Sequence, residues 1–189
     1  MTGRPDNVPG RPAPTAPLAR PASGRPDASE HAPFYAGYVA AAEGDDLVAA
    51  LSRPGLAALA READPALAGH AYAPGKWTVA EVVQHVIDTE RIFQARVLRI
   101  ARGDATPLPG FDQDPYVAAA APRPLAALAG ELDRLRASTL DVVGSLTDAD
   151  LLRTGTASGA RLSARAAAWI VAGHERHHLD VLRERYLTP

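Results

Sequence analysis

The chain of 189 residues contains no cysteine. Disulfides, thiolate nucleophiles and thiolate metal ligands are therefore all excluded, and any metal site must use His, Asp or Glu. The absence is neutral about compartment, because a cytosolic protein needs no disulfide; a cytoplasmic location is expected. Lysine is almost missing as well, Lys76 being the only one, so arginine carries the positive charge. That reads as genome composition rather than function. Neither sign of charge dominates: the net charge is -2. No basic field exists to attract nucleic acid. No apolar run approaches the ~20 residues of a membrane-spanning helix. The expected partner is thus a small molecule, not nucleic acid or membrane. The length is that of one domain with room for a real core.

Large apolar residues are scarce from Met1 to about Pro33, where Pro5, Pro9, Pro12, Pro14, Pro17, Pro21, Pro26 and Pro33 accumulate. Such a segment cannot bury enough surface to offset its ordering entropy. It also lacks the apolar stretch of a secretory signal. A disordered tail over 1–33 and one domain over 34–189 are expected. From Phe34 the pattern is helical, with no convincing strand. Phe34 to about Arg61 reads as a first helix or helix pair, interrupted near Gly44 and Pro54. Thr78-Val79-Ala80-Glu81 is a capping box that opens a second helix, running to about Arg102 and stopped by Gly103. A Pro- and Gly-rich loop over 104–122 follows, then a third helix from about Pro124 to Leu146. Ser163 caps a last helix to about Tyr186. Four helical regions with apolar stripes predict an all-α, antiparallel four-helix bundle. The middle loop is longer than bundle packing requires, and such loops are often functional.

On the last helix, His174-Glu175-Arg176-His177-His178 fits H-E-x-x-H. The spacing puts two imidazoles on one helix face, where they can close on one metal ion. At ~100° per residue, His174 and His178 fall at the centre of the apolar stripe of Ala167, Ile170, Val171, Val181 and Leu182. Burying either ring without a partner would cost about 1–3 kcal/mol. The chain runs only to Pro189, so a third ligand is expected upstream. His85 is the best candidate, at the edge of the second helix's stripe with Thr89, Ile92 and Arg96 beside it. The alternative is a pair of core histidines hydrogen-bonded to polar neighbours. A zinc peptidase is not expected, because Val181 and Glu184 stand where the extended protease pattern needs Gly and His.

Other residues carry two readings each. Glu175 is a general base on metal-activated water, or a solvated or salt-bridged helix residue. Glu90 falls inside an apolar stripe, where a carboxylate needs a partner, a proton or a metal. It either orients a ligand histidine from behind or pairs with an arginine such as Arg136. His177 is expected at the surface or behind the ligands. His70 is structural or exposed, and His31 sits in the tail. Trp77 reads as a packing anchor. One of Arg91, Arg96 and Arg136 could bind a substrate carboxylate, and the sequence does not choose among them.

Taken together, these residues resemble the DinB/YfiT-like superfamily of metal-dependent proteins, which is unrelated to the translesion polymerase sharing that name. The likeness is carried by Gly75-Lys76-Trp77-Thr78-Val79-Ala80-Glu81-Val82-Val83-Gln84-His85, by Asp88-Thr89-Glu90-Arg91 and by Ala101-Arg102-Gly103-Asp104. Leu108-Pro109-Gly110-Phe111-Asp112 and Ala172-Gly173-His174-Glu175-Arg176-His177-His178 complete it. The resemblance implies a four-helix bundle, often a homodimer, with three histidines on a divalent metal such as zinc or nickel. By position these are His85, His174 and His178. It also implies a thiol-dependent transferase using a low-molecular-weight thiol such as bacillithiol, mycothiol or glutathione, or a hydrolase. The alternative is a non-catalytic metal-binding or stress-response protein, in which Glu90 or Asp88 would close the fourth metal position.

Overall fold

Thr78 decides where the longest helix begins. Its hydroxyl accepts from the Glu81 amide at 3.3 Å while the Glu81 carboxylate accepts from the Thr78 amide at 2.7 Å. This reciprocal box satisfies two amides that the first helical turn leaves unpaired. In the computed structural model, which describes residues 24–187, that helix is α4, Val79–Ala101. It ends before Gly103, whose φ of +79° suits glycine. Three short helices precede it: α1 (Ala36–Ala41), α2 (Leu47–Leu51) and α3 (Leu56–Glu62). The first helical region is therefore neither one helix nor a pair. Gly44, at φ +77°, cannot continue α1, and Asp46 caps α2 through the Ala49 amide at 2.7 Å. Pro54 and the extended Gly55 then separate α2 from α3.

After α4 come α5 (Gln113–Ala119), α6 (Leu125–Gly144) and α7 (Asp148–Leu151). A hairpin of β1 (Thr154–Ala157) and β2 (Ala160–Ser163) leads directly into α8 (Ala164–Arg185). The hairpin corrects the reading that no strand exists. Its turn is Ser158-Gly159, both at positive φ (52° and 76°), the geometry that matches the twist of two antiparallel strands. α5 likewise lies inside the stretch read as plain loop, capped by Asp112.

The expected four-helix bundle is present, with the broken α1–α3 region as its fourth member, but its neighbouring helices are not all antiparallel. α8 runs antiparallel to α4. Tyr186 at its end donates to the Trp77 carbonyl at 2.8 Å, and Arg153, before the hairpin, donates to the Ala101 carbonyl. α4 and α6 run the same way, as the pairs Arg123–Gln84, Arg91–Glu131, Gln94–Ser138 and Arg102–Ser145 show. A short turn would force antiparallel neighbours; the long connection through α5 is what permits this arrangement. Leu108 in that connection is tied to the hairpin, its amide to Thr156 at 2.8 Å and its carbonyl to Ser158 at 3.0 Å. Among the described residues, no helix is long and apolar enough to cross a membrane.

The apolar core comes in two parts. One joins α1, α2, the second half of α4 and the first half of α8 around Trp169, Ile170 and Leu162. The other joins α3, the first half of α4, α6 and the end of α8 around Leu56, Val83, Leu128 and Leu182. Between them, α4 and α8 carry polar residues into the interior: Thr89 and Glu90 from one, His174 and Glu175 from the other.

The tail boundary differs from expectation. Residues 1–23 lie outside the described residues, but 24–33 belong with the domain. Arg25 donates to the Val39 carbonyl at 2.7 Å and stands over the Trp169 ring. Glu30 is buried, accepting from Ser163 Oγ and from Arg165 Nε at 2.7 Å each. His31 is buried beside it. Composition averages over a window and misses single charged residues that find distant buried partners.

Candidate metal centre

His174 and His178 project from α8 one turn apart, and His85 reaches them from α4. The Nε2 atoms of His85 and His178 lie 3.1 and 3.2 Å from Nε2 of His174. Two local features hold the rings. Gly173 lets α1 lie directly on α8: a Cβ there would sit 1.7 Å from the Tyr38 carbonyl oxygen. The Tyr38 ring consequently packs edge-on against His174, centroids 5.1 Å apart. On the other side Trp77, itself tied to Tyr186, packs against His85 at 4.8 Å.

Burial pushes the His85 imidazole down to about 4. Burial first, then the neighbouring rings of His85 and His177, push His178 down to about 3. The same causes, burial foremost, hold His174 well below its ordinary value. All three rings are therefore neutral near pH 7. A neutral imidazole has one N–H and one acceptor nitrogen. His174 Nε2 faces two other ring nitrogens, yet it can offer only one proton or one lone pair. Hydrogen bonding alone leaves one of the two contacts unsatisfied, whereas a cation receiving all three lone pairs satisfies both. The spacing agrees: nitrogens ~2.0–2.1 Å from a zinc-sized ion, at angles between a right angle and the tetrahedral one, stand roughly 2.8–3.4 Å apart.

No carboxylate joins the three histidines among the described residues. Glu175, read as a general base, is turned towards α3 and α6 instead. Its Oε1 accepts from the Leu56 amide at 2.8 Å and its Oε2 pairs with Arg136 at 2.7 Å. Glu90 does not stand behind a ligand histidine. It receives Arg136 at 2.9 and 2.8 Å and the Thr139 hydroxyl at 2.8 Å, which is the arginine pairing of its two readings. Burial works against the Arg136 charge, but Glu175 and Glu90 outweigh it and hold the guanidinium protonated. Asp88 accepts from Gln84 at 2.9 Å and is not part of the cluster. His177 is exposed, between Tyr38 and His178. His70 is exposed too, and its carbonyl accepts from the Val79 amide.

A cavity of about 120 Å³ opens beside the cluster, with His85, His174, Thr89 and Phe93 on its wall. Phe111 and Gln113, from the connection after α4, line it as well, as does Ser158 of the hairpin turn. The connection that is longer than bundle packing requires thus shares a cavity wall with His85 and His174. Tyr38 and Ser158 were not anticipated as site residues. Tyr38 comes from a region whose path depends on the α1–α2 break, and the only signal for Ser158 was its Ser-Gly turn.

The sequence model of the DinB superfamily matches residues 48–182. Among solved structures, the chain is similar to YfiT from Bacillus subtilis, described as a probable metal-dependent hydrolase with an unusual four-helix bundle topology. The two share 16% identity and a TM-score of 0.58, over 87% of this chain and 94% of that one. No curated protein matches.

Proposed function

Because the chain belongs to the DinB superfamily, we propose that His85, His174 and His178 hold one divalent metal ion, zinc or nickel, in an enzyme that hydrolyses a small molecule. The observation that carries this reading is the double contact at His174 Nε2, which neutral histidines cannot satisfy among themselves. The description of YfiT as a probable metal-dependent hydrolase supports the reaction class. When bound, the ion supplies Lewis acidity that activates water. The chain's own groups do the rest. Tyr38 and Trp77 keep the rings in place, and Arg136 keeps Glu90 and Glu175 out of the cluster. Three protein ligands leave a coordination position free, and the cavity beside His85 and His174 is the route to it.

A second reading is a thiol-dependent transferase. The lack of cysteine fits it only in that the nucleophile would have to arrive as a small-molecule thiol. Metal content by mass spectrometry, on wild type beside His85→Ala and His178→Ala, tests the centre. About one ion per chain, lost in both variants, is expected. No uptake of zinc, nickel or manganese by the wild type would overturn it. The loaded protein, assayed on ester and amide panels and on thiols plus electrophiles, then separates hydrolase from transferase.

A further inference from the structure

Three arginines were candidates for a substrate carboxylate, and the structure distinguishes them by what already occupies each one. Arg91 is exposed and pairs with Glu131 and Asp88. Arg136 is held between Glu90 and Glu175. Arg96 is only 2% exposed and forms no ion pair among the described residues. Its Nη2 donates to two neutral oxygens, the Pro109 carbonyl at 2.9 Å and Ser158 Oγ at 3.0 Å, and its Nη1 has no partner among the described residues. A buried guanidinium without a counter-charge is costly. Thr89, 4% exposed, repeats the pattern: its Oγ1 also lacks a partner among the described residues, and it lines the cavity next to His85. His85, Thr89 and Arg96 follow one face of α4, since steps of four and seven residues return to the same side of a helix. Arg96 stacks on Phe93 at 4.7 Å, and both Phe93 and Ser158 are cavity wall.

We propose that this cavity is a carboxylate-binding subsite, in which Thr89 Oγ1 on its wall receives the anionic group of a small substrate, the Arg96 guanidinium directly behind Phe93 and Ser158 supplies the balancing charge, and Phe93, Tyr38 and Phe111 receive its apolar body. The subsite would orient the substrate against the histidine cluster, and in that respect it rests on the metal-centre reading. Pro109 and Ser158, which hold Arg96, are loop and turn residues. Shifting them exchanges two neutral acceptors for a charged one, and charge-assisted bonds are roughly twice as strong. A volume of about 120 Å³ fits a ligand of a single ring or short chain.

The test is calorimetric titration of the full chain with benzoate, and with benzamide as the neutral isostere. Both are run with chelator and again with zinc. Benzoate is expected to bind and benzamide not to, and Thr89→Val should weaken benzoate about five- to tenfold. Arg96→Gln should weaken it tenfold or more while leaving zinc stoichiometry unchanged. Equal binding of both probes, no binding of benzoate, or benzoate affinity indifferent to both substitutions overturns the subsite. If Arg96→Gln does not fold, Thr89→Val decides. Arginine-dependent benzoate binding by a chain that takes up no metal would keep the subsite and remove the metal centre; zinc uptake without benzoate binding would do the reverse.

Discussion

Two polar clusters share the middle of this bundle, both drawing on α4 and α8, with their members five residues apart on α4 and adjacent on α8. Glu90 is on α4 and Glu175 on α8, as are His85 and His174. The carboxylate cluster is saturated. Arg136 bridges both acids, the Thr139 hydroxyl takes a further Glu90 lone pair, and the Leu56 amide takes one from Glu175. The histidine cluster is not: three neutral nitrogens converge where two hydrogen bonds cannot both form. Completed polar networks rigidify a core, whereas an incomplete one inside a well-packed fold marks a candidate binding site. The clusters therefore differ in role although both are buried, polar and central.

The largest expected effect comes from opening the saturated cluster. Arg136→Met leaves two buried carboxylates without their shared cation, and a loss of about 3–5 kcal/mol is expected, measured as the urea midpoint of unfolding. A variant as stable as wild type would mean that the two acids are solvated or protonated rather than ion-paired. Next is Glu175→Gln, which sets an amide donor against Arg136 while Glu90 still balances its charge. A cost of about 1–3 kcal/mol is expected, with metal content by mass spectrometry unchanged. Metal loss at wild-type stability would move Glu175 from the saturated cluster to the histidine site.

The smallest effect sharpens the comparison with a third, more peripheral cluster. Burial raises the Glu30 carboxyl, but hydrogen bonds from Arg165, the Asp27 amide and Ser163 outweigh it and bring the group from 4.5 down to about 2. A folded-state value below the unfolded one contributes stability above pH 4.5 that disappears as pH falls towards 2. Glu30→Gln should therefore flatten part of the acid limb of a stability-versus-pH curve, leaving neutral-pH metal content untouched. Identical acid limbs in the two proteins would show that Glu30 is not ion-paired in solution.

Much of this was legible in advance, and the exceptions have a common cause. Capping at Thr78 and Ser163 and the periodic stripes placed α4 and α8 to within a residue or two, because caps and amphipathic faces are local properties. His85, His174 and His178 were legible for the same reason: their helix faces follow from spacing. The hairpin was missed because its signal is a two-residue turn between strands of only four residues. The three-way break of the first region was partly legible at Gly44 and Pro54. The direction of α6 was not, since it depends on how a long connection travels.

The amino-acid order alone determined where the long helices run, put His174 and His178 on the inward face of one and offered His85 at the edge of another, because backbone caps and a 3.6-residue period act within a few positions of each residue. Only the tertiary structure decided which charged groups are already partnered. Glu90 meets an arginine far along the chain on α6, Glu175 meets the first amide of α3, and Glu30 meets the start of α8. Arg96 meets no acid among the described residues. Electrostatic pairing depends on distance in space, and helix packing sets that distance through contacts that no local pattern records.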